Sequence, residues 1–205
     1  MTTHLSIRSW LGAALALAAA LTAGSIAAAQ SPLALETARI TIAGTSNVHD
    51  YTASTTDARV TRVQFGSAAA GAALWEDAQR PGGLVAFDIS IAAASLTSPK
   101  EGIDKNMHKA LKVKEHPEIT FSLTRMDGAP GALQALGTLR IAGVEREVTI
   151  PLKTTPTGAN LTVTGALDVL MTDFGIAPPK AMLGMVKADP KITVTFNVLL
   201  AVPTT

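Results

Sequence analysis

The sequence predicts an all-β fold with one short helix: an antiparallel β-barrel of about eight strands. Apolar and polar residues alternate in run after run, short turn-forming segments separate the runs, and one segment alone has helical spacing. Alternation gives each strand one dry and one wet face. Two dry-faced sheets could also form a sandwich. Long strands joined by short sequential hairpins favour the barrel, in which the dry faces enclose the interior.

The predicted strands follow one another along most of the chain. The run from Tyr51 to Phe65 changes phase near Ala58, which predicts a bulge or bend. Ala142-Gly143-Val144 predicts a tight hairpin turn, and the last strand is predicted over 191–201. The predicted dry faces are Ile40 and Ile42; Val85, Phe87, Ile89 and Ile91; Ile119, Phe121 and Leu123; Leu133, Ala135, Gly137, Leu139 and Ile141; Val148, Ile150 and Leu152; Leu161, Val163, Gly165, Leu167 and Val169; and Ile192, Val194, Phe196 and Val198.

The helix is predicted within 100–114. Apolar residues there recur at Ile103, Met107, Ala110 and Leu111, which is helical spacing. Pro117 prevents the helix from continuing beyond His116.

The N-terminal segment, residues 1–29, is predicted to be a cleaved signal peptide. Arg8 precedes an almost wholly apolar stretch, and Ala27-Ala28-Ala29 provides a small-residue cleavage site before Gln30. The apolar stretch is shorter than the roughly 20 residues that a membrane span needs, which argues against a stable membrane anchor. We therefore expect one domain over 30–205, located in the periplasm or secreted and soluble after cleavage.

Composition excludes several classes of function. The chain contains no cysteine, which excludes disulfides, cysteine catalysis and cysteine-ligated metals. Cleavage would remove Arg8 from 17 basic residues and none of the 16 acidic ones, leaving formal charge zero. A general nucleic-acid binder should be distinctly basic, so no nucleic-acid partner is expected. No nucleotide-binding glycine pattern or zinc-protease motif is present, and no cofactor or metal is predicted.

Four segments together resemble the YceI-like family of secreted polyisoprenoid-binding proteins. They are SNVHDY at 46–51, EHPEITFSLT at 115–124, GTLRIAGVEREVTIPL at 137–152 and DFGIAPPKAMLGMVKADPKITVTFNV at 173–198. The resemblance covers nearly all of the chain after about Glu36. It implies a lipocalin-like barrel with a long isoprenoid tail in its lumen.

The sequence therefore predicts a periplasmic carrier or reservoir that holds a long apolar ligand, an isoprenoid or related lipid, in the barrel lumen. Because the dry faces are mainly aliphatic, they would leave a lumen open. Methionines on the helix and in the 171–190 segment could adapt to a greasy ligand or simply pack that segment. The predicted ligand-binding residues are Phe87, Phe121, Leu123, Leu139, Ile150, Val163, Leu167, Val194, Phe196, Met107 and Phe174. The oligomeric state stays open.

Two alternatives remain at this stage. His49 and Asp50, with His108, could form the site of an enzyme or stress-response factor acting on a lipid-like substrate, although no catalytic residue is assigned and a loop-fixing role for the pair is favoured. A filled barrel could instead serve as an interaction module. The lysines of 100–114 could receive a phosphate head group, but a solvated helix face is the simpler interpretation.

Overall fold

A computed structural model describes residues 33–69 and 71–202. Nine strands form one antiparallel sheet in the order β2-β1-β10-β8-β7-β6-β5-β4-β3, and short β9 pairs with β10. The strands are β1 (Ala34–Ser46), β2 (Tyr51–Thr55), β3 (Ala58–Phe65), β4 (Leu84–Ala92), β5 (Glu118–Ala129), β6 (Ala132–Ile141), β7 (Val144–Thr157), β8 (Asn160–Leu170), β9 (Lys180–Ala181) and β10 (Val186–Ala201). The sheet confirms the antiparallel barrel that the alternation predicted, in the lipocalin-like form that the family resemblance implied.

The predicted bend within 51–65 joins the two edges of this sheet. β2 pairs with β1, whereas β3, only two residues later, pairs with β4 at the other edge. Both strands run in the same direction, so Thr56 and Asp57 carry one bent strand across the seam. A further bridge links Ser54 to Thr97, which follows β4, with N–O distances of 2.8 and 3.0 Å. One strand therefore completes the circuit of the barrel.

Within the residues that the structure describes, two α-helices accompany the sheet, one at each end of the barrel. Helix α1 (Ala72–Ala78) was not predicted, and helix α2 (Glu101–Ala110) lies within the predicted 100–114 segment. α2 ends at Ala110, well before Pro117, because Lys112 adopts a left-handed φ of 53° that interrupts the helix. In the described ranges, no helix is both long enough and apolar enough to cross a bilayer.

Two strand predictions need correction. Val85 was placed on the dry face of β4, but it is 49% exposed because a register shift beside Leu84 and Ala86 turns it outward. Such a shift changes the face of every residue beyond it. The last strand begins at Val186 rather than at Lys191, because residues 180–187 form a short hairpin instead of a loop. The predicted signal peptide, residues 1–29, lies outside the described residues.

Candidate ligand cavity

A cavity of about 370 Å³ lies inside the barrel. Side chains from all ten strands and from both helices contribute to its wall, and most of them are aliphatic or aromatic. The volume lies within the roughly 300–1,000 Å³ that is usual for small-molecule sites. The wall chemistry suits an apolar occupant.

The cavity separates two packed ends. One apolar cluster surrounds the C-terminus of α2 and includes Leu111, Ile141 and Phe174. The other surrounds α1 and includes Trp75 and Leu161. Between these clusters, inward-facing side chains remain only half-buried because no neighbour fills the centre. The barrel is therefore hollow in its middle, which argues against a filled interaction module.

All eleven residues predicted to bind the ligand lie at the wall of this cavity. Ile150 and Phe174 are buried. The remaining nine are half-buried: Phe87, Met107, Phe121, Leu123, Leu139, Val163, Leu167, Val194 and Phe196. Their position confirms the predicted strand faces, and their contact with a ligand stays a prediction.

Two phenylalanines lie along the wall because glycines face them. A methyl group at Gly137 would stand 2.6 Å from Cζ of the Phe121 ring, and one at Gly165 would overlap the Phe196 ring. Gly165 is directly opposite Phe196, and Gly137 is the diagonal neighbour of Phe121. The rings thus occupy space that a side chain would otherwise take, which leaves the lumen wider.

Helix α1 closes one end of the cavity. Trp75 is 1% exposed, donates Nε1–H to the Ala159 carbonyl at 2.9 Å and meets Phe65 edge to face at 6.4 Å between ring centroids. Buried Gln79 accepts the hydroxyl hydrogen of Thr154 at 2.6 Å. Sequence analysis missed both Trp75 of α1 and Gln79, the residue that follows this helix. Their signal was a large apolar residue inside the alanine-rich segment 68–78.

The opposite end, which we call the mouth, holds the apolar cluster around α2 and also the exposed and polar part of the wall. Ser46, His49, Tyr51, Asn106 and Lys180 contribute there, and Lys180 is the one lysine among the described lining residues. Tyr51 lies against Gly44 of β1. Burial raises the pKa of Tyr51, and the negative charge of Asp189 raises this pKa further. The tyrosine therefore presents a neutral hydroxyl at neutral pH.

The structure separates the candidate catalytic residues. His49 lines the mouth, but Asp50 does not. The imidazole of His49 contacts the Asp50 carbonyl at 3.1 Å, and Ser46 holds the turn by donating to the His49 carbonyl at 2.7 Å. His108 contacts the Leu96 carbonyl at 2.8 Å and is absent from the wall. Across the described ranges, no three His, Asp or Glu side chains converge as a metal site.

The lysines of α2 face away from the lumen. Ile103, Asn106, Met107 and Ala110 form the lining face of this helix, whereas Lys105 and Lys109 are exposed and do not contribute to the wall. This arrangement fits the solvated helix face that the sequence favoured. If a head group is bound, the side chains at the mouth are nearer to it than those lysines.

A family model described as the YceI-like domain matches residues 36–200. The chain belongs to the YceI-like family. Among solved structures, this YceI-like chain is similar to Burkholderia cenocepacia BcnA, with TM-score 0.61 and 17% identity over 79% of this chain and 95% of that one. A polyisoprenoid binding domain from Saccharophagus degradans matches with TM-score 0.61 and 11% identity, over 85% and 100% of the two chains.

A Campylobacter jejuni YCEI protein also matches, with TM-score 0.56 and 16% identity over 73% of this chain and 82% of that one. At these identities, the similarity to solved structures establishes the fold. No curated protein matches the chain significantly.

Proposed function

We propose that this YceI-like protein binds a long apolar lipid, of the polyisoprenoid class, with the tail inside the barrel. The observation that carries the proposal is the hollow apolar interior between two packed ends. The Saccharophagus degradans neighbour, described as a polyisoprenoid binding domain, supports the same ligand class. The eleven lining residues predicted from the sequence are the proposed tail contacts.

The affinity would come mainly from removing tail surface from water. Such burial contributes roughly 25 cal/mol per Å² of apolar area, from which the cost of ordering the chain is subtracted. The aliphatic wall imposes little directional bonding, so tail length and thickness would decide selectivity. The protein would act as a carrier or reservoir rather than as an enzyme.

A substitution at Phe121 tests the proposal. Phe121→Trp places a larger ring at the middle of the lumen and should weaken binding of a long-chain polyprenol, with little loss of stability. Native mass spectrometry measures the bound polyprenol in Phe121→Trp and in Phe121→Leu. Phe121→Leu is the reference variant, in which the fluorescence of Trp75 also reports binding. The matched control is Ser122→Trp, because Ser122 is the next residue along β5 and is exposed.

The two variants should separate clearly. Polyprenol binding should fall in Phe121→Trp and stay at the wild-type level in Ser122→Trp. Equal binding by all variants, or native mass spectra that never contain a bound lipid after gentle purification, would refute storage in the lumen.

The proposed function also requires the protein to be exported. We infer that the protein reaches the periplasm or the exterior through cleavage before Gln30. The intact mass of exported protein tests this inference, and a mass that includes residues 1–29 would overturn it.

A further inference from the structure

We propose that the mouth of the barrel rests on a phospholipid bilayer through an apolar rim formed by Val48, Leu183 and Met185. The inference rests on the proposed function, because a bilayer is where a lipid of this class would be collected or delivered. It adds a surface for the transfer step, separate from the lumen that holds the tail.

The rim concentrates apolar side chains that are exposed. Five large apolar side chains in the described ranges are strongly exposed, and the three most exposed are Leu183 at 106%, Met185 at 66% and Val48 at 63%. These three belong to two neighbouring loops at the mouth. Single exposed apolar residues are ordinary, but a cluster at the opening of a lipid-sized cavity indicates an interaction surface.

The conformation of Leu183 strengthens this interpretation. Its backbone lies in the left-handed region, with φ 56° and ψ 29°, where a residue with a branched side chain is disfavoured. Because its side chain is fully exposed, Leu183 gains no compensating burial within the domain. Contact with an apolar phase outside the domain would supply that burial.

Hydrogen bonds join the two loops into one surface. The side chain of Asn47 donates to the Met185 carbonyl at 2.8 Å and accepts from the Lys187 N–H at 2.7 Å. The Asn47 N–H also donates to the Lys187 carbonyl at 3.1 Å. Val48 is therefore held beside the hairpin that carries the other two rim residues, so the rim can meet a surface as a unit.

The charges next to the rim fit a phospholipid surface. Lys180 and Lys187 face each other in the β9–β10 pair, one register step behind the hairpin tip, and both are exposed. Asp189 lies further from the tip and accepts the hydroxyl hydrogen of Thr45. Asp50, two residues after Val48, is the other opposing charge that follows a rim loop. If Leu183 enters the acyl region of the bilayer, the ammonium groups of Lys180 and Lys187 would lie at the depth of the lipid phosphates.

The rim is also continuous with the lumen. Pro179, Lys180 and Val186 line the cavity and flank the hairpin tip on both sides. A tail leaving the lumen here would reach the acyl region without crossing water. This continuity favours a bilayer over a protein partner as the occupant of the rim.

Vesicle flotation tests the proposal. Exported protein is mixed with vesicles of phosphatidylcholine alone or with phosphatidylglycerol. The Leu183→Ser/Met185→Ser double variant should bind both vesicles about tenfold more weakly than the wild type. Lys180→Gln/Lys187→Gln should lose about fivefold per lysine on the anionic vesicles only, and salt should reduce that difference.

Val85→Ser is the matched control, since Val85 is 49% exposed beside Leu84 at the α1 end and should leave flotation unchanged. All variants have the same N-terminus as the wild type, so a difference in flotation between them comes from the substituted residues. Polyprenol binding in detergent is measured in parallel and should be equal in the wild type and the Leu183→Ser/Met185→Ser variant, because neither residue lines the cavity.

Several results would overturn the proposal: wild-type protein that does not float with vesicles, rim variants that float as well as the wild type, or a wild-type dimer that the rim substitutions dissociate. Flotation that depends on the rim in a protein that binds no polyprenol in detergent would instead refute the proposed function and leave the rim surface standing.

Discussion

At the scale of single residues, small and aromatic positions act as pairs. Tyr51 lies on Gly44, Phe121 on Gly137 and Phe196 on Gly165. In each pair the glycine leaves room for a ring to lie against the sheet. The lumen is therefore wide because these glycines have no side chain, and its width does not depend on the lining side chains alone.

The pair at Gly137 can be tested with one methyl group. Gly137→Ala should destabilise the fold by about 1–3 kcal/mol, since the new methyl would overlap the Ser122 carbonyl oxygen and stand 2.6 Å from Cζ of the Phe121 ring. Gly102→Ala in α2 is the matched control: it meets no atom within 4 Å and should stabilise by up to about 1 kcal/mol. Urea unfolding measures both, and equal effects would contradict the pairing.

Tyr51 gives a spectroscopic prediction, because it is the only tyrosine in the chain. Its pKa is raised from 10.0 by burial and then by Asp189, so tyrosinate absorbance should appear at higher pH than in the unfolded chain. The neutral form is the one that the fold favours. Its contribution to stability is thus present below pH 10 and is lost as pH rises through the folded pKa.

Asp189→Asn separates the two causes of this shift. The variant should lower the tyrosine pKa only partly, because burial, the larger cause, remains. A wild-type titration at the ordinary tyrosine pKa would show that the mouth is wetter than the structure indicates.

At the scale of elements, α1 depends on the barrel for its existence. It has seven residues, begins after Gly71 without a side-chain cap and is too short to be stable alone. Trp75, Ala78 and Gln79 anchor it through apolar contact and through the bond to Thr154. Docking, rather than intrinsic propensity, therefore keeps this end of the lumen closed.

Removing the anchor should detach the helix. Trp75→Ala should cost about 3–5 kcal/mol in the free energy of unfolding and should abolish hydrogen-exchange protection across 72–78. Trp75→Phe should cost less. It keeps a buried ring, and the Ala159 carbonyl that loses the indole N–H still accepts from Val202 at 3.1 Å. Retained protection in the alanine variant would mean that α1 does not rely on Trp75.

At the scale of the whole molecule, two packed ends hold a hollow middle. One bent strand and the Ser54–Thr97 bridge join the two edges of the sheet, but the central lining side chains lack contacts on one side. A bound tail would supply those contacts. We therefore expect ligand binding and thermal stability to be coupled.

This coupling has a calculable size. A polyprenol present at about 100 times its Kd should stabilise the protein by about 2.7 kcal/mol, which raises the Tm of a domain of this size by roughly 5–10 °C. Differential scanning calorimetry measures the shift. Phe121→Trp should show a much smaller shift at the same ligand concentration, and an equal shift in both proteins would place the ligand outside the lumen.

The sequence determined the strand faces and therefore the wall of the cavity, because alternation with period two is a local property of each strand. Residues such as Leu139, Val163 and Phe196 could be assigned to the interior without knowing their neighbours. It also determined the bend near Ala58, the turn at Gly143 and the helical spacing of α2.

Only the tertiary structure decided the rest, because these features depend on contacts between residues far apart in sequence. The register shift that turns Val85 outward depends on β3, and α1 is helical only where Trp75 finds the barrel end. The mouth forms because Asn47 reaches the 185–187 backbone, 138 or more residues away. Local alternation therefore specifies which side of a strand is dry, whereas the three-dimensional closure of the barrel specifies where its interior ends and opens.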